Sequence, residues 1–372
     1  MGGGDFLPLS FLEELYRVCD VTLAVDIEDG FEQSARLFGF QFDRTRFKVV
    51  PVMPPGYTMA KHNIFFSYYR SVHLKRLAAN ADICISASSI MDFGKPAHHF
   101  INVIDFDDGN FSDYARRRRT PLFRKFRRLF LYNVLKPLFG MRSKWKIISD
   151  LREHIYPNSE FVNQLMRGYY PPFNGTVFFP PTTYEPGPVP SERDPLKIIY
   201  LGRITVGKRL PEIVGIVERV RAMTGLDLKL SIAGPLKTSP PGGELGKAVA
   251  GKQWIDFPGA LYGEEKKQFL FSGTYSIHVM RDEAFGIAMT EYMKSGLIPI
   301  VPDEGGACEV VGNPELSFHT NEEAAAILAR LLNDPEFREL QRRRCAERAG
   351  FFSRDAYMAR QHKVLEDILG SC

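Results

Sequence analysis

The sequence predicts an α/β protein with two Rossmann-like halves, whose parallel sheets face each other across a cleft. Three observations predict this fold: apolar runs of strand length alternate with helical patterns, this alternation occurs in both halves of the chain, and a Pro-rich stretch separates the halves. Strands that alternate with helices indicate βαβ units and parallel sheets. The chain has 372 residues, which is enough for two domains of ordinary size.

The N-terminal half contains a helical pattern over residues 11–18 and four apolar runs that predict strands. We expect a further strand to begin at Ile147–Ile148, followed by a helix that Ser159 caps. The four predicted strands are Val21–Val25, Phe47–Val52, Asp82–Ser86 and Phe100–Ile104.

The C-terminal half shows the clearer alternation. Its predicted strands are 197–201, 228–233, 275–280 and 297–301. Its predicted helices are 211–223, a segment that ends near residue 295, and 321–332. Ligands of parallel sheets bind beyond the carboxyl ends of the strands, so the loops that follow these strands are the expected place for a site.

Proline marks the boundary between the two halves. The stretch 180–190 is dense in Pro, which suits neither a helix interior nor a central strand. We therefore expect an N-terminal domain over 1–181, a linker over 182–196 and a C-terminal domain over 197–350. A C-terminal helix over 351–372 is expected to cross back to the N-terminal domain.

The composition is that of an ordinary globular protein, with 44% apolar and 25% charged residues. It excludes disorder, collagen and coiled coil for the whole chain. No run of about 18 uncharged apolar residues occurs, and the N-terminus lacks the basic and apolar regions of a secretory signal. The five cysteines form no C-x-x-C pair, so we expect no zinc site, no disulfide framework and a reducing cytoplasm.

One segment, residues 116–146, concentrates positive charge: it holds 12 Lys or Arg and no Asp or Glu. Its residues 122–130 place Leu and Phe on one helical face and Arg and Lys on the other, which is typical of a helix at a membrane interface. Packing of the apolar face on the N-terminal domain, a mobile loop at 116–119 and nucleic-acid binding are the alternatives. Nucleic acid is the least favoured, because no RNA-binding module is evident.

Two glutamates lie at a predicted strand-to-helix junction. Glu283 falls in the loop, Gly286 allows a tight turn, and Glu291 falls near the first turn of the helix. Free N–H groups at such a helix start bind diphosphate, and a carboxylate at Glu291 can accept hydrogen bonds from ribose hydroxyls. The alternative is two surface glutamates of a soluble helix.

Two cations follow the strand 197–201. Arg203 and Lys208 lie on the loop that begins at Gly202, at the ligand end of the sheet. Arg grips phosphate oxygens with its planar fork and Lys acts as a point charge, so together they can neutralise a departing diphosphate. A basic helix start without a ligand is the alternative.

The order of these motifs resembles the donor-binding domain of family-4 glycosyltransferases, which are retaining enzymes of the GT-B fold, also called glycosyl transferases group 1. The resemblance covers about residues 196–350. It rests on G-R-x4-K at 202–208, Ile232-Ala-Gly234, Phe257-x-Gly259, E-x-F-G-x4-E at 283–291, Gly296 and Gly305-Gly306-x-x-Glu309. The resemblance is weaker before the linker, where it rests on Gly2-Gly3-Gly4, Asn158-Ser159 and Val177-x-x-Pro-Pro181.

The resemblance implies a role for each matching residue. Arg203 and Lys208 would bind the nucleotide diphosphate, Glu291 the ribose, and Glu283 the donor sugar near its reacting carbon. The remaining implied contacts are to Gly3 and Gly4 in the Gly-rich loop, Gly202, Gly259 near the base, and the backbone of Phe285, Gly286 and Ile287. The family transfers a sugar from a nucleotide-sugar, generally without a metal, so no cofactor or metal is expected.

Two features depart from the family pattern. The family has a strand before its Gly-rich loop, whereas Met1 directly precedes Gly2 here, so we expect the first strand to be trimmed or missing. Asp105 stands where the family often has a histidine, and a carboxylate there can orient an acceptor hydroxyl. A turn or cap role is the alternative for Asp105, and His98 and His99 are expected to be ordinary loop or strand residues.

The resemblance thus implies a retaining glycosyltransferase that moves a sugar from a nucleotide-sugar to a saccharide or lipid-linked acceptor. Its expected setting is polysaccharide assembly at the cytoplasmic face of an anionic membrane. A non-catalytic nucleotide-sugar-binding scaffold and a GT-B nucleotide-sugar epimerase are the alternatives.

Overall fold

The computed structural model describes residues 6–58, 64–87, 89–101, 130, 134–235 and 243–370. The chain divides into two compact units. Unit 1 comprises Met1–Pro181 with Tyr357–Cys372, and unit 2 comprises Thr182–Ala356. Several predicted residues lie outside the described part: Gly2, Gly3 and Gly4, residues 102–104 of the strand predicted at Phe100–Ile104, Asp105, residues 116–129 and 131–133 of the cationic segment, and residues 371–372.

The described strands are β1 Val21–Val25, β2 Phe47–Pro51, β3 Ile85–Ser86, β4 His98–Ile101, β5 His154–Pro157, β6 Asp194–Leu201, β7 Lys229–Ala233, β8 Ile255–Gly259, β9 Gly273–Ile277, β10 Ile298–Pro302 and β11 Ser317–Phe318. The described helices are α1 Phe6–Leu15, α2 Glu28–Phe38, α3 Ile64–Ala78, α4 Lys136–Leu138, α5 Lys144–Ile148, α6 Glu160–Tyr169, α7 Leu210–Thr224, α8 Glu244–Val249, α9 Gly263–Phe271, α10 Ile287–Lys294, α11 Gly306–Val311, α12 Asn321–Asn333, α13 Pro335–Gly350 and α14 Arg354–Leu369.

Unit 1 contains two parallel sheets within its described part, β1-β2 and β3-β4-β5. Its core joins the two ends of the chain: Phe6 and Phe11 of α1 pack with Tyr357 and Leu365 of α14. A buried polar contact fixes this packing, because the Gln361 side chain donates to the carbonyl of Ser10 at 3.1 Å. A buried amide with its partner satisfied avoids the cost of an unpaired polar group.

Unit 2 contains one six-stranded sheet in the order β11-β10-β9-β6-β7-β8, and every described pairing in it is parallel. If β6 is counted as strand 1 and β11 as strand 6, the sheet read from β8 has the doubly wound order 3-2-1-4-5-6. The central strands are apolar runs, and Ile198, Leu230, Ile232 and Ile300 are 0% exposed. Strands covered by helices on both faces have this character, which is why the sequence shows no alternation there.

The structure confirms most of the predicted elements. The predicted strand Val21–Val25 is β1 to the residue, and Ser159 caps α6 by accepting a hydrogen bond from Val162 N at 3.1 Å. The helical pattern at 11–18 belongs to α1, which begins earlier, at Phe6. β8 has no counterpart in the predicted set, because most of its residues are not apolar.

The prediction of a strand at Ile147–Ile148 is wrong. Both residues lie in the helix α5, and each is 1% exposed. The N-cap Ser143 determines this outcome, since its hydroxyl accepts a hydrogen bond from Lys146 N at 3.3 Å. Two β-branched residues favour a strand, but a cap together with burial on one helical face outweighs that preference.

No helix among the described residues is both long enough and apolar enough to cross a bilayer.

Candidate functional site

The candidate site lies at the switch point of the unit 2 sheet. There the first strand of the sheet, β6, has β7 on one side and β9 on the other. The chain leaves β6 and β9 in opposite directions around the sheet, which opens a crevice at their carboxyl ends. The loop 202–209 follows β6 and the loop 278–286 follows β9, so both predicted motifs reach the same place in the fold.

Close backbone contacts join the loops that follow β6, β7 and β8. Gly202 N donates to Ala233 O at 3.0 Å, and Gly234 N donates to Gly259 O at 2.7 Å. Gly234 has φ +149°, and a Cβ placed on it would lie 1.8 Å from Gly202 O. The predicted residues Gly202 and Gly259 are therefore brought together through Gly234, which has no room for a side chain.

A second glycine contact fixes the loop that carries Glu283. Gly306 N donates to the carbonyl of Glu283 at 2.7 Å. A Cβ on Gly306 would lie 2.2 Å from Ala284 O, and one on Gly305 would lie 2.4 Å from Arg281 O. The turn 305–306 thus supports the backbone of the loop 281–285 and leaves no space for a larger residue.

Glu283 and Lys208 form an ion pair across the switch point. Lys208 Nζ hydrogen-bonds Glu283 Oε2, and their side chains are 17% and 20% exposed. Burial raises the pKa of the Glu283 carboxyl, but the charge and hydrogen bond of Lys208, together with His278 and then Arg203, outweigh burial and hold this pKa below its ordinary value. Glu283 is therefore a carboxylate at neutral pH and acts as a hydrogen-bond acceptor.

His278 adds a third group to this pair. Its Nε2 lies 3.7 Å from Glu283 Oε2, and the side chain is 6% exposed. Burial lowers the pKa of His278 to about 4, so the ring is neutral at physiological pH. From the sequence, His278 is predicted only as part of the strand 275–280; the signal for a site residue is a single polar ring near the carboxyl end of an apolar run.

Arg203 is exposed, and it forms no hydrogen bond or ion pair with any other residue in the described ranges. Its charge still reaches the site, because it lowers the pKa of Glu283. Burial and then the charge of Glu283 raise the pKa of Tyr200, so this phenol stays protonated beside the pair. The two predicted cations are thus on one loop. Lys208 is held by Glu283, whereas Arg203 is available to a ligand.

Glu291 lies on α10, one turn after its start. Gly286 precedes the helix with φ +91° and supplies no side-chain cap, while Phe285 is buried with its ring centroid 5.9 Å from that of Phe352. The helix begins at Ile287, directly after Gly286, so its first N–H groups have no capping side chain.

Lys266, which is not among the predicted site residues, holds Glu291. Its Nζ lies 2.7 Å from Glu291 Oε1 and 4.9 Å from the ring centroid of Tyr184. Lys266 comes from α9, and spacing alone does not connect that helix with α10. The contact with Lys266 orients the Glu291 side chain.

Tyr292 ties α10 to the end of β6. Its hydroxyl accepts from Leu201 N at 2.6 Å and donates to Leu201 O at 3.2 Å. The helix that carries Glu291 and the loop that carries Lys208 are therefore fixed to one another. Leu201 still pairs with Ala233 of β7, but the β6–β9 register ends at Ile199, so the hydroxyl takes the place of a partner from β9.

Within the described residues, no three His, Cys, Asp or Glu side chains are grouped as metal ligands. The cluster that the structure does assemble consists of two cation–carboxylate pairs, a buried imidazole and an uncapped helix start. Such a set suits an anionic ligand that also carries hydroxyl groups.

The fold and a family model indicate the class of the protein. The α/β chain with parallel sheets has the GT-B fold of two Rossmann-like domains. Residues 185–349 match the model of the family described as Glycosyl transferases group 1, and this match supports a glycosyltransferase.

Solved structures provide the more particular comparison. Anabaena Alr3699/HepE, crystallised in complex with UDP and glucose, has TM-score 0.64 and 12% identity over 100% of this chain and 96% of its own. WaaG, a glycosyltransferase involved in lipopolysaccharide biosynthesis, has TM-score 0.61 and 13% identity over 94% of this chain and 100% of its own. At such identities the likeness concerns the fold.

TarM is a longer relative, with TM-score 0.52 and 14% identity over 75% of this chain. The match covers 50% of TarM, so this chain spans about half the length of that protein. Among curated protein sequences, none matches this chain significantly.

Proposed function

We propose that the protein is a retaining, family-4 glycosyltransferase that moves a sugar from a nucleotide-sugar to a saccharide or lipid-linked saccharide. The observation that carries the proposal is the ion pair of Lys208 and Glu283 at the switch point, inside the segment that matches the family model. The pair lies where doubly wound sheets bind nucleotides.

The diphosphate is the group that gains negative charge when the glycosyl bond breaks. In this proposal Lys208 and Arg203 neutralise that charge, and the first N–H groups of α10 add the positive end of the helix dipole. Positive charge held in place before the reaction stabilises the transition state without reorganisation. The proposal therefore assigns no role to a metal.

The two carboxylates have separate tasks. Glu291, held by Lys266, accepts hydrogen bonds from the ribose hydroxyls. Glu283 accepts from the transferred sugar, close to the carbon that becomes electron-poor as the diphosphate leaves. Its lowered pKa keeps it charged for this task.

The donor test uses the full chain with UDP-glucose, GDP-mannose and ADP-glucose. We expect one of them to raise the melting temperature, because a ligand at 100 times its Kd stabilises the native state by about 2.7 kcal/mol. We take UDP-glucose first, since the crystallised HepE holds UDP and glucose.

The nucleotide part of the site is tested with Glu291→Gln. We expect this variant to lose most of the ligand-induced rise in melting temperature, because the ribose loses a charged acceptor and Lys266 its partner. Glu218→Gln is the matched control, since Glu218 forms a surface pair with Lys252 at 3.1 Å in the same unit. Equal rises in both variants would remove Glu291 from the donor site, and binding without transfer to any acceptor would favour the scaffold function.

We further propose that the enzyme works at the cytoplasmic face of an anionic membrane. Unit 1 exposes an aromatic surface, which we define as Phe65, Tyr68, Leu138 and Phe139. The ring centroids of Phe65 and Tyr68 lie 6.4 and 5.1 Å from that of Phe139, and Phe65 and Leu138 are 68% and 75% exposed. Leu138 and Phe139 belong to the cationic segment itself, so this surface combines apolar residues with a positively charged stretch of chain, which suits a bilayer that offers hydrocarbon below a negative surface.

Vesicle flotation tests the membrane proposal. The wild type is expected to float with phosphatidylcholine vesicles that contain phosphatidylglycerol, and Phe65→Ser/Leu138→Ser is expected to float at least tenfold less. The matched control is Val18→Ser/Leu37→Ser, which removes two apolar residues of unit 1 that are 69% and 60% exposed. Wild-type flotation of the first variant would contradict a membrane role for the aromatic surface.

A further inference from the structure

His278 is buried at the switch point with one ring nitrogen unsatisfied. The residue directly follows β9, and its backbone N donates to Ile300 O at 2.9 Å, which fixes the residue against β10. Its side chain is 6% exposed, and Nε2 has no hydrogen-bond partner among the described residues. Most buried polar atoms are paired, because an unpaired one costs free energy, so this nitrogen calls for an explanation.

The second ring nitrogen of His278, Nδ1, indicates which of the two nitrogens carries the hydrogen. A hydrogen bond with the backbone of Met280 favours the protonated ring, as expected when the ring donates to a carbonyl. In a neutral imidazole, the hydrogen bond of one nitrogen determines the state of the other. The hydrogen is therefore assigned to Nδ1, and Nε2 presents a lone pair.

Two acceptors thus lie side by side. His278 Nε2 and Glu283 Oε2 are 3.7 Å apart, which is too far for a hydrogen bond between them. Lys208 donates to the carboxylate, but no described residue donates to the imidazole. A carboxylate keeps capacity for more than one donor, so the pair can receive two hydrogen bonds from a ligand.

We propose that His278 Nε2 and the Glu283 carboxylate accept hydrogen bonds from two adjacent hydroxyl groups of the transferred sugar. This inference rests on the proposed function and makes His278 a specificity-determining residue of the donor site. Two neighbouring hydroxyls provide two donors at a spacing close to that of the two acceptors. A site built to bind a hydroxyl discriminates strongly against a sugar that lacks it, because its buried acceptor is then left unpaired.

The test measures how much the sugar adds to nucleotide binding. Calorimetry on the full chain compares UDP with UDP-glucose, GDP with GDP-mannose and ADP with ADP-glucose, and the pair that the wild type binds is taken forward. His278→Leu is expected to bind the nucleoside diphosphate as the wild type does and the nucleotide-sugar about tenfold more weakly, the effect of one lost hydrogen bond. His278→Gln, which retains a side-chain acceptor, is expected to recover most of that loss.

Two further measurements exclude a merely structural role. The melting temperature of His278→Leu is expected to stay close to that of the wild type, because the variant loses the hydrogen bond with the Met280 backbone but also removes an unpaired buried atom. Ser276→Ala is the matched control: its hydroxyl is also buried without a partner, two residues earlier on β9, and its loss is expected to leave sugar binding unchanged.

The outcomes separate this inference from the proposed function. If the wild type binds a nucleotide-sugar and His278→Leu keeps the same ratio of nucleotide-sugar to nucleotide affinity within twofold, the inference fails and the proposed function stands. If the wild type binds none of the three pairs, both fail.

Discussion

Replacing Lys208 with alanine is expected to lower kcat/KM for sugar transfer by about 100-fold, which corresponds to about 2.7 kcal/mol of transition-state stabilisation. Two losses combine in this variant. The leaving diphosphate loses a cation, and Glu283 loses the partner that keeps its largely buried carboxyl charged. Steady-state transfer with the donor found in the ligand panel measures the effect.

Lys252→Ala is the control for this variant. Lys252 lies in the same unit and pairs with Glu218 at 3.1 Å, but it is far in sequence from both loops of the switch point. An exposed pair of this kind contributes little to stability, so activity should remain near the wild-type value. Near-normal turnover of Lys208→Ala would refute the role of this cation.

Gly306→Ala is expected to abolish most sugar transfer, and the cause is a displacement of the backbone and not the loss of a side chain. The added methyl would lie 2.2 Å from Ala284 O, so the loop 281–285 has to shift and carry Glu283 with it. A displacement of about 1 Å at a reacting group costs on the order of 100-fold in rate. Steady-state transfer and the melting temperature are measured together.

Gly215→Ala provides the contrast. Gly215 lies inside α7, and a Cβ placed there meets nothing within 4 Å. Alanine in a helix interior is favoured over glycine by about 0.5–1 kcal/mol, so this variant should be active and at least as stable as the wild type. Full activity of Gly306→Ala would show that the turn at 305–306 does not hold the Glu283 loop.

The residues that share a loop or a helix were predictable from the sequence. Arg203 and Lys208 directly follow an apolar strand, and Glu283 and Glu291 flank the turn at Gly286, so periodicity and turn chemistry were enough to place them. The central strands of unit 2 were recognised for a related reason, because strands covered on both faces are uninterrupted apolar runs.

The parts that depend on tertiary packing were not predictable. Lys266 reaches Glu291 from a neighbouring helix, and Tyr292 bonds a strand 91 residues away. His278 resembled an ordinary strand residue until the fold placed it beside Glu283. In each of these cases the deciding contact joins residues that no periodic pattern relates. The helix at Ile147–Ile148 differs, because its Ser143 cap is a local contact three residues long and was a signal present in the sequence.

The most direct test of the account is a crystal structure of the protein with the nucleoside diphosphate that the ligand panel selects. We expect phosphate oxygens about 3 Å from Lys208 Nζ, the usual length of a charge-assisted hydrogen bond, and ribose hydroxyls at the Glu291 carboxylate. A nucleotide bound away from the carboxyl ends of β6 and β9, touching neither residue, would contradict it.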